Sequence, residues 1–196
     1  LPAKNHYTDY MRQRYRRNCK PNTLRNASTS LKQFLFFYKI SGKNHIEKMT
    51  REDIEAFTED LQDRGLTPVT VANRLRWVYA FVRFLIEAKV LGYELLERKI
   101  RIRLPDRLPR AIDPEDVKRI LSAIDQVRDR AMILLLLRTG MRIGELLNTK
   151  VHDLDLNNNR ILIYEAHKTG VGRVAYYSDD AREALMSWLK VRNTFK

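Results

Sequence analysis

"LLLLRTGMRIGELL", residues 134–147, is an apolar run that halts at Arg138-Thr139-Gly140 and resumes with Arg142 inside it. The run reaches back to Ala131, and its length suits a core helix. Gly140 tolerates the left-handed conformation that ends helices. The spacing therefore predicts a long buried helix over roughly 127–139, a turn, and a short helix from about Arg142 to Thr149. Arg142 is flanked by Met141, Ile143, Leu146 and Leu147, all core-forming types. Burying a guanidinium without a partner is costly, so an anion should face it. Glu145, three residues on, is one candidate, and a ligand is the other. A helix start offers free N–H groups and the positive end of the dipole, and arginine adds a fork that matches two phosphate oxygens. Two readings stay open: a structural Arg142–Glu145 ion pair, or an anion-binding Arg142 supported from behind by Glu145.

Downstream, Asn157-Asn158-Asn159 is a turn, and "RILIY" (160–164) and "RVAYYS" (173–178) read as strands joined by the tip "EAHKTGVG". Lys168 sits on that tip beside Thr169, Gly170 and Gly172. A tip lysine ordinarily serves solubility, and His167 beside it reads as a surface residue. Ser178-Asp179-Asp180 caps a last helix carrying Ala184, Leu185, Trp188 and Leu189. Upstream, Asp113-Pro114-Glu115-Asp116 is a strong helix start.

The N-terminal half is helical in pattern. "HYTDYMRQRYRRN" is a basic first helix, broken at Cys19-Lys20-Pro21-Asn22. Leu24, Ala27, Leu31, Phe34 or Leu35, and Tyr38 then recur at helical spacing. Thr50 with Asp53 resembles a capping box opening a helix that ends at Gly65. Thr67-Pro68 starts another, with the stripe Val71, Leu75, Val78, Val82 and Leu85, running to about Val90. The first 95 residues are thus expected to form a four-helix domain. "ERKIRIRLPDRLPRAI" follows, alternating rather than helical, with six Arg/Lys and two prolines over 97–110. It reads as an extended basic linker, either a plain tether or a strap along a DNA groove. Fourteen extended residues span about 45 Å, enough to pass around a duplex.

Net charge is +13 over 196 residues, and the pI is about 10.0. A surplus of that size points to an anionic partner, nucleic acid first. Residues 1–104 hold 21 Lys/Arg against 11 Asp/Glu, a net of +10. Arg12, Arg14, Arg16, Arg17, Lys20 and Arg25 cluster at the start, and Arg74, Arg76 and Arg83 ride the helix after Thr67. The linker adds Arg98, Lys99, Arg101, Arg103, Arg107 and Arg110. Each alone fits a solvated face, but as a set they suit salt-sensitive contacts to phosphates. One cysteine, Cys19, fits a reducing compartment. No apolar run is long enough to span a membrane, the N-terminus lacks a signal-peptide pattern, and no metal-ligand spacing occurs.

"RTGMRIGELL", then "DLDLNNNRILI", then "HKTGVGRVAYYS" resembles the tyrosine recombinase (phage integrase) family. The likeness extends back through "LPRAIDPEDVKRIL", the basic linker and the helical N-terminal half. It implies a mainly α chain. Residues 1–96 would form a SAM-like core-binding domain of four helices and 97–110 the linker. Residues 111–196 would form part of an α+β catalytic domain with a small antiparallel sheet. It implies that Arg142 is similar to the first catalytic arginine, Glu145 to its acidic support and Lys168 to the hairpin lysine. In the family a tyrosine attacks a DNA phosphodiester, leaving a 3′-phosphotyrosyl link and a 5′-hydroxyl. Arginines hold the charge on the non-bridging oxygens without a metal, and the lysine protonates the leaving oxygen.

The family's His-x-x-Arg segment and its late tyrosine nucleophile are not in this sequence. The four histidines, His6, His45, His152 and His167, precede Asp9, Lys48, Asp155 and Gly170 at the third position on. The sequence therefore looks like about two-thirds of an integrase, with no nucleophile assigned and no activity expected alone. Tyr164, Tyr176 and Tyr177 read as strand residues. The resemblance implies double-stranded DNA as partner, self-association on DNA in the full-length protein, no cofactor or metal, and a bacterial or phage-encoded cytoplasmic setting. The alternative is a non-catalytic two-domain protein that occupies recombination sites.

Overall fold

A computed structural model describes residues 3–106, 111–164 and 172–192. The chain divides into two compact units, Leu1–Leu108 and Pro109–Lys196. Among the described residues no helix is long and apolar enough to cross a membrane.

Four long helices build the first unit: α1 (Lys4–Arg16), α2 (Pro21–Ile40), α3 (Arg51–Asp63) and α4 (Pro68–Glu87), followed by the short α5 (Glu94–Glu97). The expected apolar positions of α4, from Val71 to Leu85, are all buried. In α2 both Phe34 and Leu35 are buried with Ala27, Leu31 and Tyr38. The expected break separates α1 from α2 at residues 17–20, and Pro21 lies just past it. It occupies the first helical position, where its missing N–H costs nothing. The capping box is present, with the Asp53 carboxylate accepting the Thr50 N–H at 2.9 Å. Thr67 caps α4 through its hydroxyl. The centre is aromatic: Phe34 meets Phe57 edge-on at 5.2 Å, and Tyr10 meets Phe81 at 5.5 Å.

Beyond α5 the backbone is irregular, and the alternation seen in sequence has a physical result. Ile100 and Ile102 pack against the first unit's core, while Arg98, Lys99, Arg101 and Arg103 face solvent. The Tyr79 hydroxyl accepts the Ile100 N–H at 2.8 Å, and Lys99 lies over the Tyr79 ring. This stretch is docked rather than a free tether.

The second unit holds α6 (Pro114–Ser122), α7 (Val127–Thr139), α8 (Ile143–Asn148) and α9 (Asp179–Arg192) with a three-stranded antiparallel sheet. The strands β1 (Leu154–Asp155), β2 (Arg160–Ile163) and β3 (Arg173–Tyr176) lie in the order 1-2-3. β1 was not expected, since two residues carry no detectable period. Its partner across the Asn157–Asn159 turn defines it, Leu154 opposite Ile161. The core gathers Leu134 and Leu135 of α7, Met141, Ile161 and Ile163 of β2, Ala175, Tyr177, and Ala181 and Leu185 of α9. The long apolar helix is buried on one face only; Leu137 is exposed. Arg138, in its last turn, pairs with Asp180 at 2.6 Å and ties α7 to α9. That guanidinium, with the Ser178 hydroxyl, holds the Asp180 carboxyl down at about 2.

Candidate active site around Arg142

The turn between α7 and α8 is closed by local hydrogen bonds. Gly140, at φ +60°, ends α7 in the left-handed region that disfavours other residues. The Thr139 hydroxyl donates to the Leu135 carbonyl at 2.5 Å and accepts the Met141 N–H at 3.2 Å. Met141 enters the core, and Arg142 takes extended backbone as the residue capping α8.

Glu145 then folds back on Arg142. Its Oε2 accepts the Arg142 backbone N–H at 2.9 Å, and its Oε1 accepts Arg142 Nη1 at 2.8 Å. A second guanidinium reaches the same carboxylate: Arg173 Nη2, from β3, donates to Oε2 at 2.8 Å. The Glu145 side chain is 1% exposed, Arg142 48% and Arg173 38%. One buried anion thus sits between two half-exposed cations, leaving the cluster net positive. The Arg142 N–H, more than any other group, holds the Glu145 carboxyl below the usual carboxylate range. Hydrogen bonding from the Arg142 side chain and the charge of Arg173 add to this, and burial opposes it.

The ion pair exists, yet it leaves half of Arg142 facing outward. Two expectations need correction. The Arg142 N–H at the start of α8 is not free for an anion, because Glu145 already accepts it, and the helix is only six residues long. Ile143 and Leu147 are not core residues but exposed, one turn apart on one face of α8.

Arg173 escaped the reading of the sequence. The signal was strand alternation. Arg173 lies opposite the buried Ile163, and it shares its side of β3 with the buried Ala175 and, beyond the strand, the buried Tyr177. A charge on that side requires a buried acceptor. Lys168 lies in sequence between β2 and β3 but falls at 165–171, outside the described residues. Gly172 leads into β3, and a Cβ there would sit 2.9 Å from the carbonyl oxygens of Ile163 and Tyr164. Tyr177 is a core residue whose hydroxyl burial pushes upward. Tyr164 and Tyr176 are exposed.

The basic residues of the first unit differ in what holds them. Arg12 pairs with Asp9 at 3.1 Å on the surface. Arg14 is packed, its guanidinium 5.4 Å from the Tyr10 and Trp77 ring centroids. Arg16, Arg17 and Lys20 are exposed, and Arg25 reaches Asn22 at 3.4 Å. Arg76 and Arg83 are exposed on one face of α4, seven residues apart. Arg74 is half-buried, and burial followed by the charge of Arg64 lowers its pKa. Arg107 and Arg110 fall outside the described residues. Among the described residues no group of three His, Cys, Asp or Glu is placed to hold a metal ion.

Residues 110–196 match the family model described as the phage integrase family, and residues 5–91 match that of the phage integrase N-terminal SAM-like domain. Tyrosine recombinase XerC of Roseiflexus castenholzii is 31% identical over 181 residues, covering 89% of this chain and 57% of that protein. Tyrosine recombinase XerA of Saccharolobus solfataricus is 27% identical over 172 residues, covering 86% and 57%. The chain thus spans less than two thirds of the length of these relatives. Among solved structures, a lambda integrase (75-356) dimer bound to a COC′ core site is similar with a TM-score of 0.79 at 18% identity, covering 97% of this chain and 68% of that one. The Tn1549 transposon integrase in complex with transposon right end DNA gives 0.77 at 21% identity, covering 98% and 66%.

Proposed function

Since the chain belongs to the tyrosine recombinase (phage integrase) family, we propose that it is the DNA-holding and phosphate-activating part of an enzyme that recombines DNA at specific sites. The reaction is strand cleavage and rejoining through a 3′-phosphotyrosyl intermediate. The observation that carries this reading is Arg142, anchored on the buried Glu145 yet half-exposed. A guanidinium fixed from behind and open in front can meet charge as it develops on a phosphate's non-bridging oxygens, without reorganising at the moment of reaction. Lys168, which falls between β2 and β3 in sequence, delivers a proton to the 5′-oxygen as it leaves.

Residues 1–96 serve as the core-binding domain, 97–110 as the linker and 111–196 as part of the catalytic domain. The exposed Arg16, Arg17, Arg76 and Arg83, with the outward row Arg98, Lys99, Arg101 and Arg103, supply phosphate contacts. Arg14 acts indirectly, holding α1 against Trp77 of α4. The partner is double-stranded DNA in a bacterial or phage-infected cytoplasm. Copies of the protein associate on it, as the bound dimer of the similar lambda integrase suggests by analogy.

The chain is expected to bind duplex DNA with affinity falling about a thousand-fold between 50 and 200 mM salt, if roughly six phosphates are contacted. Fluorescence anisotropy on a labelled duplex measures this, and a flat affinity across that range would remove the DNA-holding role. A form extended to the relatives' length separates catalysis from occupancy. It should form a covalent adduct on a nicked duplex, whereas binding without an adduct leaves the non-catalytic alternative standing.

A further inference from the structure

Arg173 carries no role in the reading above, yet its guanidinium is committed to the most buried carboxylate of the second unit. The geometry shows what that contact changes. Among the described residues Glu145 Oε1 receives Arg142 Nη1, while Oε2 receives the Arg142 N–H and Arg173 Nη2. Arg142 therefore spends one of its five side-chain donors on Glu145. Without Arg173, Oε2 would be under-neutralised, and the nearest cation is Arg142 itself. Its fork would close on both oxygens, the geometry guanidinium and carboxylate prefer. The local charge would fall from +1 to zero and the outward donors would turn inward.

We propose that Arg173 is a positioning residue for Arg142: by occupying Glu145 Oε2 it blocks a two-pronged Arg142–Glu145 pair and keeps the site cationic towards a phosphate. This rests on the reading of Arg142 as the phosphate-facing arginine. The same contact links α8 to β3, the strand that follows Lys168 in sequence, so one carboxylate fixes both elements that frame the site.

The test uses this chain and inorganic phosphate, read at the Arg142 side-chain Nε–H resonance by NMR. In the parent protein phosphate should shift that resonance. Arg173→Met should weaken the effect about tenfold, the order expected for removing one unit charge near a partly exposed site. Arg173→Lys should stay within about threefold, because a cation still reaches the carboxylate. The double variant Arg173→Met/Glu145→Gln restores the net charge of +1 and should regain most of the lost affinity. A merely structural arginine predicts otherwise: the double variant, folded, would bind no better than Arg173→Met. If Arg173→Met does not fold, the Lys and double variants still decide the matter, since weak binding by both in folded protein overturns the proposal. Parent-like binding by folded Arg173→Met also overturns it, while leaving Arg142 as the phosphate residue. No response at Arg142 in the parent protein would instead defeat the reading of Arg142, and this proposal with it.

Discussion

Replacing Glu145 by Gln tests the centre of the site with little change of shape. The carboxylate accepts three hydrogen bonds, two of them from guanidinium groups. A glutamine offers one oxygen and an NH₂ group, and that NH₂ must face a guanidinium N–H. With its oxygen at the Oε2 position one charge-assisted bond is lost and the other two lose their anionic acceptor, a bond to a charged group being worth roughly 1.5–3 kcal/mol when fully sheltered. Arg142 and Arg173 are 48% and 38% exposed, so both rehydrate and the sum is discounted. The expected loss is about 2–3 kcal/mol at pH 7. Its pH dependence has a definite sign. The Glu145 carboxyl titrates below its ordinary value in the folded protein. Its stabilisation is therefore complete above the unfolded value of about 4.3 and disappears as pH falls below it. The gap between parent and variant should close towards pH 3. Trp77 and Trp188 report one unit each, so a Trp77→Phe background lets urea unfolding be followed by Trp188 fluorescence in the second unit alone. A loss under about 0.5 kcal/mol, or a gap equal at pH 7 and pH 3, would refute the account of Glu145 as a buried, doubly paired anion.

Tyr79→Phe deletes the hydroxyl that accepts the Ile100 N–H and should cost about 1 kcal/mol. It should also speed trypsin cleavage at Arg98, Lys99 and Arg101 relative to the parent, where docking of the backbone should slow it; an unchanged tryptic map would contradict the docking of that segment. In a form that cleaves DNA, Arg142→Ala should lose about 3–4 kcal/mol of transition-state stabilisation, a hundred- to thousand-fold in rate. Lys168→Ala should be rescued there by a bridging 5′-sulfur leaving group while Arg142→Ala is not, and equal rescue of both would refute their division of roles.

Much of this protein follows from near neighbours in sequence. The stripe of α4, the Thr50–Asp53 box, the Thr67-Pro68 start and the Gly140 stop all act over one or two turns, so periodicity and capping chemistry locate them. The Arg142–Glu145 pair is equally local, three residues apart. The alternation after Glu97 already carried the inward isoleucines and outward cations, although their docking surface on Tyr79 lies 21 residues away. Tertiary structure decided what depends on distant partners. β1 exists only because β2 hydrogen-bonds to it. Leu137, Ile143 and Leu147 are apolar by type but exposed, because each helix can bury only the face its neighbours cover. Arg138 meets Asp180 across 42 residues, and Arg173 meets Glu145 across 28. Hydrogen-bond partners at such separations are set by how strands and helices stack. The sequence alone could therefore offer Glu145 as one candidate anion for Arg142, and only the fold could show that the pair forms and that a second cation shares it.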